Sequence, residues 1–277
     1  MRLGGPVFNS DGGPHDWIAA LQRRGYRASY CPVTHEDDHE TVLAYINAAH
    51  EADIIIAEVG AWSNPLSQDE QTHQEAVAYC QQQLALADDV GAVCCVNIAG
   101  SRGDLWDGPH PDNLTPGTFD LIVETVRTII DAVKPRRTFY TLEPMPWLYP
   151  DSTGSYLALL EAVDRPAFAV HFDPVNLVCS PQRYFNNAAL IREFVEKLGP
   201  QIKSVHAKDI VLDTALTTHL DEVRPGRGHL DYDALLRSLQ SLGRDLPIML
   251  EHLEEEEDYR LAASYVRAKA VKQGIEL

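Results

Sequence analysis

The sequence predicts an α/β protein, a (β/α)8 TIM barrel formed as a single domain over residues 1–277. Short apolar runs rich in Val and Ile alternate with amphipathic stretches, the pattern of repeated β-α units around a parallel sheet. Eight such units fit in 277 residues, close to the ~250 residues of a closed barrel plus its loops. An open doubly wound sheet is the rival arrangement. Against it, no G-x-G-x-x-G follows the first strand, and ligand-type side chains end four successive strands instead of gathering at one switch point.

The first strand is placed over residues 2–8 and the first helix over 15–24, where Gly25 turns the chain back. Strand two follows at 27–31 and helix two at 39–50. Strand three, 53–58, ends in Glu58 and leads into a helix over 68–89. Strand four covers 92–98, with adjacent Cys94 and Cys95 read as small apolar residues. The longest non-periodic stretch, 100–115, carries Trp106, Gly108, Pro109, His110 and Pro111 and is expected to cap the barrel mouth. Thr115-Pro116 then reads as N-cap and first residue of a helix over 116–134. Strand five lies at 138–143 with a helix at 154–163, and strand six at 167–173 with a helix at 187–198, stopped by Gly199-Pro200. Strand seven, 202–208, precedes a helix over 232–241, capped by Asp231 and turned back at Gly243. The last unit is a strand at 247–251 and a helix at 255–272, whose leading run Glu254–Asp258 complements the helix dipole. No linker, low-complexity tract or internal repeat interrupts the series.

Composition narrows the partners. The hydrophobic fraction, 45%, is that of a soluble globular protein with a sizeable core. A net charge of −18 with no basic block opposes a nucleic-acid partner. Five cysteines, odd in number and without C-x-x-C spacing, suit a reduced cytoplasmic protein. Neither a signal peptide nor a membrane span is expected. A small molecule is the expected partner, with a homo-oligomer compatible.

The chemistry lies at four strand ends. Thr138–Leu142 runs into Glu143, Ala167–Phe172 into Asp173, Ile202–Val205 into His206 and Pro247–Leu250 into Glu251. The gaps of 30, 33 and 45 residues (173−143, 206−173, 251−206) each hold one strand, one helix and two loops. In a parallel barrel those ends are neighbours, so two Glu, one Asp and one His converge. That set suits one divalent ion, manganese first, with cobalt, magnesium or zinc as alternatives. Any one of these residues alone is an ordinary polar strand end. Two-residue alternation puts His171 beside Asp173, and Lys208 beside His206, on the interior face. Lys208 is a candidate for substrate oxygens, or merely the partner of Asp173 or Glu143. Asp209 either orients His206 or caps the following loop, and Glu58 is a candidate second layer behind the ion. Trp62, Trp106 and Trp147 fall in the loops after strands three, four and five, where they either stack on a sugar face or pack on the rim.

These residues resemble the sugar phosphate isomerase/epimerase family, the xylose isomerase-like TIM barrels that include tagatose 3-epimerase-like and hydroxypyruvate isomerase-like enzymes. The family pattern has Glu ending strand five, Asp ending strand six, His on strand seven and Glu ending strand eight, here Glu143, Asp173, His206 and Glu251. Pro225-Gly-Arg-Gly228 with Leu230-Asp-Tyr232 looks like the family's loop after strand seven, which makes Arg227 a substrate contact by that likeness. Pro144 stands where relatives often have Asn, and Asn176 where they have His; Asn176 is expected beside the substrate together with His171, Lys208 and Trp147. Asn97 and Gly100–Gly103 occupy the place of a family His near strand four.

The resemblance and the ligand set imply a divalent-metal-dependent isomerase or epimerase of a small keto-sugar or related polyol. Its chemistry is proton abstraction through a metal-bound enediolate, with Glu143 and Glu251 as the proton-transfer pair on opposite faces. A lyase or hydratase acting on an oxidised sugar or glycoside uses the same first step and is the alternative. An endonuclease-like phosphodiesterase needs further His ligands and a basic face, and a non-catalytic metal or sugar binder has no need of two glutamates at the ion.

Overall fold

In the computed structural model, which describes residues 1–8 and 12–277, eight parallel strands close into a barrel. They are β1 (Arg2–Gly4), β2 (Ala28–Tyr30), β3 (Ile55–Gly60), β4 (Cys94–Asn97), β5 (Tyr140–Leu142), β6 (Phe168–Phe172), β7 (Ile202–Ala207) and β10 (Pro247–Leu250). Consecutive strands pair, and β10 joins β7 to β1 to complete the ring. A separate antiparallel hairpin, β8 (Asp209–Leu212) with β9 (Leu220–Val223), is inserted after β7.

Helices wrap the outside: α1 (Pro14–Arg24), α2 (His39–Glu51), α3 (Glu70–Val90), α4 (Pro116–Val133), α5 (Thr153–Val163), α6 (Pro181–Phe185), α7 (Asn187–Leu198), α8 (Tyr232–Gln240) and α9 (Glu256–Lys272). Their ends follow the punctuation of the sequence. The Thr115 side chain accepts from the Thr118 N–H with Pro116 opening α4, Asp231 does the same for Ala234 at α8, and Gly25 closes α1 at a left-handed φ of 65°. The main apolar core fills the layer between sheet and helices, with Leu21, Leu84, Ile129, Leu159, Phe194 and Leu235 fully buried. No described helix is long and apolar enough to cross a membrane.

The ladder is shorter than the apolar runs that predict it. Pairing in β1 stops at Gly4, because Pro6 lacks the N–H that a continued ladder needs, and β5 is regular only over Tyr140–Leu142. A short helix, α6, precedes the expected one and is capped by the Ser180 side chain with Pro181 following. The hairpin replaces what the sequence leaves as an open loop.

That hairpin is anchored at its root by one carboxylate. Asp209 Oδ1 accepts from the Ile210 and Leu230 N–H groups (2.9 and 2.8 Å), and Oδ2 from Gly226 and Gly228 (2.9 and 3.0 Å). Gly228 must be glycine for this, since a Cβ there would collide with Asp209 and with the Ile210 backbone. Asp209 thus caps the loop and makes no contact with His206 among its hydrogen bonds. Asp209→Ala is expected to lower stability by at least ~2 kcal/mol, since each buried donor left unpaired costs about 1–3 kcal/mol. Urea denaturation checks this, together with faster proteolysis near the fully exposed Leu216 at the hairpin tip.

Candidate active site

The interior face of β7 supplies a column of polar groups. Ser204, His206 and Lys208 alternate along the strand, so all three point inward, one above another, and all are buried. At the base, Glu58 receives Ser204 and His206. Its Oε1 accepts from Ser204 Oγ and lies 3.1 Å from His171 Nε2, and its Oε2 lies 3.1 Å from His206 Nε2. The pairing of β6 with β7 shifts register between Val170 and His171, which re-aims the end of β6. From α5, the Tyr156 hydroxyl donates to the Leu142 carbonyl (2.6 Å) and accepts from the His171 N–H (3.0 Å). It fastens β5 to β6 just below the points where Glu143 and Asp173 emerge.

Above Glu58, the four predicted donors meet. Ligand atoms of Glu143, Asp173, His206 and Glu251 all lie within 4.8 Å of one another. His206 Nδ1 stands 2.7 Å from Glu251 Oε1, 3.3 Å from Glu143 Oε1 and 3.9 Å from Asp173 Oδ2. Asp173 is immobilised through Oδ1, which accepts from the Val175 and Asn176 N–H groups (2.8 and 3.0 Å). Its Oδ2 and Glu251 Oε1 are buried and lack a hydrogen bond. Lys208 Nζ comes within 2.8 and 2.7 Å of those two oxygens, off the line a hydrogen bond requires, so charge is balanced while lone pairs stay unused. Convergent buried oxygens with spare lone pairs, plus an imidazole whose other nitrogen is held by a carboxylate, fit a hard divalent cation.

Electrostatics hold the cluster together. Burial opposes charge on His206, but Glu251, Glu58 and Glu143 outweigh it and raise its pKa well above 6.5. Burial likewise opposes charge on Lys208, and Asp173, Glu143 and Glu251 raise its pKa further. Glu143 and Glu251, although desolvated, are held well below the usual carboxylate range by Lys208 and His206. Glu58 is depressed further, by His206 and His171. These contacts favour the protonated imidazole, and a divalent cation bound by His206 would compete with that proton.

Over the cluster opens a cavity of about 530 Å³, lined by Trp62, Ile98, Trp106, Asp107, Glu143, Met145, Pro146, Trp147, Asn176, Lys208, Glu222 and His252. Glu143, Asn176, Lys208 and Trp147 therefore stand where the sequence reading puts substrate. Asn176 Nδ2 donates to Glu143 Oε1 (2.9 Å). The other two predicted contacts lie elsewhere. His171 is fully buried one layer down, its ring 4.1 Å from that of His206, facing Glu58 and away from the cavity. Arg227 is exposed on the loop after the hairpin and outside the cavity lining. Two lining residues have no sequence signal of their own: Glu222 comes with the hairpin, and His252 follows Glu251 at a positive φ of 56°. They meet at 3.2 Å.

A closed barrel with acidic donors gathered at the C-terminal ends of its strands defines a class of α/β barrels built for small-molecule chemistry at the mouth. The chain belongs to the xylose isomerase-like TIM barrel family, which it matches over residues 18–269. Solved structures that share the fold include a D-tagatose 3-epimerase-like protein (TM-score 0.71, 19% identity, covering 99% of this chain and 98% of that one). 3-Keto-D-glucoside 4-epimerase from E. coli aligns with TM-score 0.70 at 13% identity over 97% and 99% of the two chains. A xylose isomerase-like TIM barrel protein from Mycobacterium smegmatis, in complex with magnesium, gives 0.64 at 16% identity over 94% and 91%. No curated protein matches the sequence.

Two outcomes are expected from the cluster. Lys208→Met removes the ammonium facing three buried carboxylates and should destabilise the metal-free protein by about 3–5 kcal/mol, read by denaturant titration. Glu58→Gln should keep the fold but weaken manganese binding roughly tenfold to a hundredfold in calorimetric titration, because the carboxylate that orients His206 is gone. Unchanged affinity would show that Glu58 serves the barrel interior alone.

Proposed function

We propose that this protein is a divalent-metal-dependent isomerase or epimerase of a keto-sugar or related polyol, with Glu143, Asp173, His206 and Glu251 as the metal ligands. The observation that carries the reading is the convergence of two glutamates, an aspartate and a histidine beneath one cavity. Sugar epimerases among proteins of the same fold support it. When bound, a divalent ion supplies electrophilic stabilisation of the oxyanion that develops as a C–H bond beside a carbonyl is broken. Manganese is the favoured ion, with cobalt, magnesium or zinc as alternatives.

The chain's own groups then handle the proton. Among the described residues, every polar contact of the Glu143 side chain runs through Oε1, to Asn176, His206 and Lys208. Its Oε2 carries none of these contacts and is free to take a proton from substrate in the cavity. That division answers the difficulty that a ligand carboxylate is a weak base: one oxygen holds position while the other acts. Glu251 follows β10, on the other flank of β7 from β5, brings Oε1 within 2.7 Å of the same His206 Nδ1, and is the partner that returns the proton. Lys208 and Asn176, both at the cavity floor, are placed to hold the substrate's oxygens and to exclude water from the exchanging proton.

Glu143→Gln and Glu251→Gln keep an oxygen for coordination but cannot carry a proton. Each is expected to slow the chemical step by roughly 10²–10⁴-fold with manganese retained. Solvent deuterium incorporation at the carbon next to the carbonyl, measured over a panel of keto-sugars in D2O, is the readout. Wild-type exchange in either variant removes that glutamate from proton transfer. Exchange accompanied by loss of a substituent assigns the protein to the lyases instead.

A further inference from the structure

The cavity has two chemically different halves. Trp62, Ile98, Trp106, Met145, Pro146 and Trp147 come from the loops after β3, β4 and β5 and make that side of the rim mostly apolar, with Asp107 its one charged member. Asn176, Lys208, Glu222 and His252 come from the β6, β7 and β10 side, with Glu143 at the boundary. We propose that the substrate spans both halves: an uncharged keto-glycoside, its reacting ring over Glu143, Asn176 and Lys208 and its second ring, sugar or aryl, on the tryptophans. This rests on the proton-transfer reading and names the substrate class of that same site.

The aromatic half is built to offer ring faces. Trp147 Nε1 donates to the Asp107 carbonyl (2.7 Å), which uses its polar atom and leaves the indole plane for a partner. The Trp62 indole lies against Gly60, where any Cβ would collide with it. Both rings stay substantially exposed, at 43% for Trp62 and 38% for Trp147. Flat aromatic faces beside water suit the C–H face of a pyranose or an aryl group, and have nothing to offer a short open-chain sugar that fits over Glu143 alone. A volume of about 530 Å³ lies within the roughly 300–1,000 Å³ of pockets that enclose multi-ring ligands.

The polar half rejects anions. Its two basic side chains already face carboxylates, which offsets their charge: Lys208 lies 2.8 and 2.7 Å from Asp173 and Glu251, and His252 3.2 Å from Glu222. Glu143 and Glu222 add negative charge, as does Asp107 from the aromatic side, and Arg227 stands outside the lining. A phosphate ester, which carries about −1.5 to −2 charge, meets no basic side chain among the described lining residues that does not already face a carboxylate.

The test uses ligands that bind without reacting. Glucose, cellobiose, phenyl β-glucoside and glucose 6-phosphate are titrated into the manganese-loaded and metal-free protein, followed by tryptophan fluorescence and calorimetry. Cellobiose and phenyl glucoside should bind at least tenfold more tightly than glucose, with glucose 6-phosphate weakest. Trp147→Ala should erase most of that preference and Trp147→Phe should keep much of it; Trp62→Ala, on a different loop, provides the same test if Trp147→Ala fails to fold. Equal binding of glucose and the glycosides, a preference that survives both alanine variants, or tightest binding of glucose 6-phosphate would overturn the proposal. Glycoside preference without solvent exchange on any keto-sugar or keto-glycoside would remove the proton-transfer reading and leave this one standing.

Discussion

The imidazole of His206 is the joint on which the barrel interior turns. One nitrogen faces Glu58 below and the other faces Glu143 and Glu251 above, each within 3.3 Å. A closed barrel of this size has no room for solvent at its axis, so every charge inside must be met by an opposite charge or a dipole. Glu58 and His206 satisfy each other at the level of the strands, which lets the carboxylates above them be aimed at a common point instead of being consumed in the core. Lys208 then balances the surplus negative charge at the mouth. Remove any member and a buried charge is stranded, so the site and the stability of the barrel interior are parts of one network.

Much of this was legible because the barrel repeats. Eight β-α units, their caps at Thr115, Asp231 and Gly25, and the strand-end positions of Glu143, Asp173, His206 and Glu251 all follow from local pattern plus the rule that parallel barrel strands end on one face. Alternation alone also places Ser204, His206 and Lys208 in one column. It likewise puts His171 on the interior face, but says nothing of depth: two residues before Asp173, that side chain sits on Glu58 below the cavity.

Other features depend on contacts far apart in sequence. Glu58 lies 148 residues from His206, and nothing near it in the chain distinguishes it from an ordinary strand-end acid. The hairpin is built of two four-residue strands, Asp209–Leu212 (DIVL) and Leu220–Val223 (LDEV), which carry no two-residue alternation, so local pattern does not reveal them inside a stretch that family likeness makes a loop. Its significance lies in Asp209, whose four backbone acceptances are visible only once the Gly226–Leu230 turn folds back on it. Arg227, a motif position read by likeness, is exposed on its loop and outside the cavity lining.

The bond from the Trp147 indole to the Asp107 carbonyl joins two loops that the chain keeps forty residues apart. Selectivity at the mouth is therefore a property of a paired unit, and the two loops must be inherited or exchanged together. Grafting the loop after β5 from a relative without its counterpart after β4 would transplant an indole with no anchor. In a fold whose loops are commonly treated as interchangeable parts, this crosslink sets the smallest piece that can be moved with its specificity intact.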